Sequence, residues 1–152
     1  MHPDPFKQRR RCLQGAAAMA SLGMAAVPAS AWAAKPGDAF AAETFAEAVG
    51  ALGGVPSPSS LIQLEAPAIA ENGAVVPISV SSALPGTREI LLLVDGNPQP
   101  LAVRFTIPRG TEPFVATRIR MAGNGTVYAA VRTDDGLFAA RCSIEVTVGG
   151  CG

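Results

Sequence analysis

The sequence predicts a mainly β protein: an immunoglobulin-like antiparallel β-sandwich with a short N-terminal helix and a flexible C-terminal Gly-Gly-Cys-Gly arm. Three observations lead there. From Ser60 onward, short runs rich in Val, Ile and Leu alternate with Gly, Pro and Asn, giving seven candidate strands. No helical pattern interrupts these runs, so nothing supplies the crossovers of a parallel sheet. The links between them carry turn chemistry at Asp95-Gly96-Asn97-Pro98, Asn124-Gly125 and Asp134-Asp135-Gly136, where Gly and Asn accept positive φ cheaply. A length of 152 residues suits one domain, and 49% apolar against 16% charged residues excludes a disordered chain.

The first 33 residues read as an export signal. Lys7, Arg9, Arg10 and Arg11 precede the weakly apolar run Leu13–Val27, and the helix breaker Pro28 follows. Ala31-Trp32-Ala33 fits the small-residue cleavage pattern, with Ala29-Ser30-Ala31 as a second site. The run falls short of the ~20 strongly apolar residues of a spanning helix. Arg9-Arg10-Arg11-Cys12-Leu13 is similar to the twin-arginine motif, with Cys12 where Phe is usual. The expected location is the periplasm, reached by export of the already folded protein. Such export also suits a passenger that carries a bound partner lacking its own signal. Cys12 precedes the apolar run, which argues against lipid attachment there.

Charge and composition narrow the function. Residues 34–152 hold eight Lys and Arg against eleven Asp and Glu, and no His, since His2 lies in the signal. An acidic body lacking clustered cations is a poor partner for nucleic acid. Without His it cannot form a Ser-His-Asp or Cys-His couple or the usual imidazole metal site. No cofactor or metal is implied.

Residues 34–59 are read as a helix and linker. Asp38 can cap a helix on which Phe40, Thr44, Phe45, Ala48, Val49 and Leu52 share a stripe. Gly53-Gly54 ends it, and Pro56 and Pro58 prevent resumption. Residues 60–148 form the sandwich, with strands at Leu61–Leu64, Ala74–Ser81, Glu89–Asp95, Leu101–Ile107, Val115–Met121, Thr126–Thr133 and Leu137–Val148. In the last strand, Cys142, Ile144, Val146 and Val148 share an inward face opposite Arg141, Ser143, Glu145 and Thr147. Cys142 is thus expected in the core. Asn124-Gly125-Thr126 matches a glycosylation sequon but is read as a hairpin turn. Arg118 and Arg120, alternating with Ile119 and Met121, are read as a solvated face, with anion binding as the sharper alternative.

Residues 149–152 form the arm, Gly149-Gly150-Cys151-Gly152, which no fold requirement explains. An exposed thiol is a liability in an oxidising compartment, so its use is as a mobile nucleophile. Gly149 and Gly150 act as a swivel, and Gly152 adds a small flank that a narrow cleft can close around. Three residues reach about 10 Å beyond the strand. The α-carboxylate beside Cys151 disfavours its thiolate, and no local Lys or His compensates. Such a thiol suits a carrier that stays quiet in transit. Two other readings exist: an exported adaptor that tethers a partner by a disulfide, and a thiol transferase, which would need a base and an orienting group where the mature chain offers no His.

The residues also carry a family resemblance. The run from Leu64 to Ile78, Leu84-Pro85-Gly86, Leu91–Asp95 with Asn97-Pro98, Thr117–Met121 and the terminal Gly-Gly-Cys-Gly resemble SoxY, the sulfur-carrier subunit of the bacterial thiosulfate-oxidising Sox system. That family usually ends in one more Gly. The resemblance implies a carrier without its own active site, partnered with SoxZ. It implies that Cys151 is the covalent attachment residue, to which SoxXA couples thiosulfate. SoxB then releases sulfate, and in many organisms SoxCD oxidises the remaining sulfur.

Overall fold

The computed structural model describes residues 38–147, so the signal 1–33 and the arm 149–152 lie outside the described residues. The elements in chain order are α1 (Asp38–Ala41), α2 (Phe45–Ala51), β1 (Ser57–Pro58), β2 (Ile62–Glu65), β3 (Ile69–Ala70), β4 (Val76–Ser82), β5 (Glu89–Asp95), β6 (Leu101–Thr106), β7 (Phe114–Ile119), β8 (Gly125–Arg132) and β9 (Leu137–Val146). All seven expected strands are present, within two residues at every end that is described.

Two sheets face each other. One has the order β1-β9-β8-β5-β6, with β3 also pairing β9; the other has the order β2-β4-β7. The seven long strands pair antiparallel, as a sandwich requires. Sequence reading passed over β1 and β3, which run parallel to β9 for two residues each. The core between the sheets sets Val76, Ile78 and Val80 against Ile90, Leu92, Val127 and Ile144.

A second core lies on the other side of the larger sheet. Leu91, Leu93, Leu101 and Ala130 pack there against Ala39, Ala48 and Leu52 of the helical segment. Strand β5 is therefore buried on both faces, which explains its unbroken run Ile90-Leu91-Leu92-Leu93-Val94. The architecture is three layers: helices, a larger sheet and a smaller one.

The single helix expected from Asp38 is broken into two. Thr44, not Asp38, caps α2: its hydroxyl accepts from Glu47 N at 3.2 Å, and Glu47 Oε2 accepts from Thr44 N at 3.3 Å. This reciprocal capping box makes Thr44 extended and ends α1 before it. Phe40 and Thr44 consequently lie exposed, while Ala48 and Leu52 are buried. The C-terminal end of α2 is tied to the sheet, because Arg132 Nη2 donates to Leu52 O at 2.9 Å.

Glu89 anchors that tie. Its carboxylate accepts from Arg132 Nε at 2.9 Å and pairs with Arg104, so it bridges β6 and β8 from between them. Its side chain is only 12% exposed, which makes its removal costly for the two arginines. Glu89→Ala is expected to destabilise the fold by about 1–3 kcal/mol, and Glu89→Gln by less. Urea denaturation followed by circular dichroism checks both.

Candidate functional site: the root of the C-terminal arm

The site is built from the end of β9 backward. β9 pairs with β8 from Leu137 to Ile144, so the last strand is fixed along one edge over most of its length. Its final residues are held on both sides. Val146 N donates to Asn124 Oδ1 at 2.8 Å, Glu145 N to Ala68 O at 3.0 Å, and Thr147 N to Ala70 O at 3.0 Å. The chain is thus pinned as far as Thr147, and Cys151 lies four residues beyond. Cys151, Gly149, Gly150 and Gly152 all fall outside the described residues.

The same end of the sandwich is stitched by asparagines. Asn97, in the β5–β6 hairpin, donates from Nδ2 to Arg120 O at 2.7 Å and accepts from Ala122 N at 2.8 Å. Asn72 Oδ1 accepts from Ala74 N at 2.9 Å, and Met121 N donates to Gly73 O at 2.7 Å. A Cβ at Gly73 would stand 2.6 Å from Met121 O, and one at Gly125 would stand 2.4 Å from Asp95 O. Both positions require Gly because backbone approaches backbone there. Sequence reasoning took Asn97 and Asn124 as turn formers and missed their side chains as the fastenings at this end of the sandwich. The signal that could have found them is their clustering in links that converge on one end of the sheets.

One turn reading is corrected. Asn124-Gly125 is not a hairpin: β7 pairs with β4 in the smaller sheet, while β8 pairs with β5 and β9 in the larger. The link crosses between the sheets, and Asn124 serves the neighbouring strand rather than a local turn. The other two links named from the sequence are hairpins, with Gly96 at φ 98° and Gly136 at φ 147°.

Cys142 faces inward as expected but is only partly buried, packing at the margin of the core between the sheets. Burial pushes its thiol pKa up, so less thiolate is present near neutral pH than in an ordinary exposed Cys. Alkylation of Cys142 by iodoacetamide in the folded Cys151→Ser protein is expected to be slow at pH 7. It should accelerate with pH to beyond the ordinary Cys range, as tandem mass spectrometry of timed samples can follow.

A groove of about 770 Å³ at the root is lined by Glu71, Asn72, Arg120, Gly123, Asn124 and Thr147 among others. Arg118 and Arg120 are exposed while Ile119 and Met121 are buried, as the alternation predicts. Among the described residues, no group of three or more His, Cys, Asp or Glu side chains is gathered as a metal site. A larger apolar pocket of about 910 Å³ lies on the helical side, between α2 and strands β8 and β9. There the rings of Phe45 and Tyr128 meet at 4.6 Å between centroids. It has Arg141 as its one charged side chain, and its hydroxyl groups come from Ser59, Ser60 and Tyr128.

Comparison with known proteins decides the family. The family described as sulfur oxidation protein SoxY matches residues 47–151. The chain belongs to the SoxY family. That match begins in α2, spans the sandwich and reaches Cys151. The solved structure of the sulfur carrier protein SoxY from Chlorobium limicola f thiosulfatophilum is similar at 33% identity and a TM-score of 0.58, covering 66% of this chain and 92% of that one. The human F-spondin reeler domain matches at 12% identity and a TM-score of 0.36, covering 59% of this chain and 92% of its own. No curated protein matches the chain.

Proposed function

We propose that this member of the SoxY family is an exported sulfur carrier that holds thiosulfate-derived sulfur on Cys151 and presents it to the enzymes of thiosulfate oxidation. The observation that carries the reading is the family match extending through the arm to Cys151, four residues beyond Thr147, the last described residue. A fixed root and a short glycine-flanked end suit a thiol that enters other proteins' clefts.

The chemistry follows from the thiol. In oxidative coupling, the Cys151 sulfur joins the outer sulfur of thiosulfate, losing one proton and passing two electrons to the haem enzyme SoxXA. The product is a Cys–S-thiosulfonate. Water then cleaves the sulfonate as sulfate at SoxB and leaves a persulfide on the arm. Where SoxCD is present, it oxidises that sulfur, and SoxB releases it as sulfate. The carrier supplies position and a leaving sulfur, while the visiting enzymes accept the electrons and supply metals and bases. SoxZ is the proposed stable partner, and residues 1–33 are the proposed twin-arginine signal to the periplasm.

An extract of thiosulfate-oxidising cells depleted of this protein supplies the test. Adding back the purified protein is expected to restore thiosulfate-dependent oxygen uptake, while the protein alone consumes nothing. Turnover of thiosulfate by the isolated protein would overturn the carrier reading in favour of an enzyme.

A further inference from the structure

The groove at the arm's root contains a cation that the fold does not use. Arg88 pairs with Asp134, and Arg104 and Arg132 pair with Glu89. Arg118 and Arg120 take part in no salt bridge among the described residues, and both are exposed. Arg120 and Thr147, the last described residue, line the same groove. The backbone carbonyl of Arg120 is fixed by Asn97, and the neighbouring Met121 N is fixed to Gly73 O, so the residue stands on a rigid base. The open side at Gly123 has no atom within 4 Å of where a Cβ would be.

The length of chain beyond Thr147 matches this place. Four residues carry Cys151 no more than about 14 Å from Thr147, so the arm can fold back into the groove without disturbing β9. The cargo is complementary in charge. A thiosulfonate on Cys151 ends in an anionic sulfonate with three acceptor oxygens, the geometry that a guanidinium fork binds. Glu71 in the same groove opposes this, which disfavours an anion at the 71–74 side and directs it toward Arg120.

We infer that the groove between the 71–74 and 120–124 segments is a docking site for the loaded arm, with Arg120 binding the sulfonate of the Cys151 adduct and Arg118 adding to the local positive field. The inference rests on the carrier reading for its biological cargo. Docking holds the adduct against the body between visits, away from small thiols that would strip it.

The test uses the full mature chain carrying Cys142→Ala, loaded chemically with tetrathionate. The Cys151 thiolate then displaces thiosulfate and retains the thiosulfonate. A second sample carries a neutral methyl disulfide on Cys151. In two-dimensional NMR, the thiosulfonate form is expected to shift amides of residues 71–74 and 120–124, and the methyl form to leave them unmoved. Stripping of the thiosulfonate by dithiothreitol is expected to be about fivefold faster in Arg120→Gln than in the parent, which corresponds to ~1 kcal/mol. Arg120→Lys should recover part of that protection, and 0.5 M salt should erase it. Shifts confined to residues beyond Thr147, or equal stripping rates in parent and Arg120→Gln, overturn the docking site. Because loading is chemical, that failure is independent of whether cells load Cys151, which the extract assay reads separately.

Discussion

Replacing Cys151 with Ser is expected to reduce thiosulfate-dependent oxygen uptake in the native host to that of a strain lacking the protein. The fold should be unchanged, because the substitution is a one-atom change five residues beyond the end of β9 at Val146. A hydroxyl cannot supply the thiolate that forms the sulfur–sulfur bond, so no intermediate is loaded and every later step stops. Cys142→Ala is the matching control. Its thiol is partly buried at the core margin with its pKa raised, and its removal should leave oxygen uptake near that of the parent. Respirometry with thiosulfate as the sole electron donor, alongside circular dichroism of the purified variants, reads both outcomes. Uptake that survives in Cys151→Ser and fails in Cys142→Ala would move the attachment site into the sandwich.

The second large effect concerns β5. Leu92→Ala and Leu91→Ala are each expected to destabilise the protein by about 2–5 kcal/mol, although their side chains point to opposite faces of one sheet. Leu92 is wholly buried between the sheets, and Leu91 is wholly buried beneath the helices. Glu145→Ala, on the exposed face of β9, should change stability by no more than about 0.5 kcal/mol. Urea midpoints for the three variants decide the point. A small effect of Leu91→Ala would mean that the helices do not seal that face, leaving a two-layer sandwich.

Both predictions show what the sequence made legible and what it did not. The seven long strands could be read from short Val-, Ile- and Leu-rich runs between turn residues, with alternate burial in β4 and a continuous buried run in β5. Strands β1 and β3 could not, since two residues carry no period and their pairing depends on where β9 lies. The apolar stripe from Phe40 to Leu52 was visible, but its division was not drawn from it. Thr44 and Glu47, three residues apart, form a capping box that marks a new start inside the stripe. The helices' role in covering Leu91 and Leu93 was likewise hidden, because a run apolar at every position does not say what lies on each face.

At the site, the inward face of β9 and the exposed side of Arg118 and Arg120 followed from alternation. The clamps did not. Asn97 and Asn124 act on residues 22 to 25 positions away, and only the crossing of the chain between sheets brings Asn124 to β9. A local reading of Asn124-Gly125 therefore found a turn where the fold uses a fastening.

The central claim is that sulfur rides on the arm, and mass spectrometry of the protein purified under non-reducing conditions from its native host growing on thiosulfate tests it most directly. The account predicts added sulfur or thiosulfonate, removable by reductant, on the C-terminal peptide that contains Cys151. An unmodified C-terminal peptide in cells actively oxidising thiosulfate, or cargo found on Cys142 instead, would contradict it.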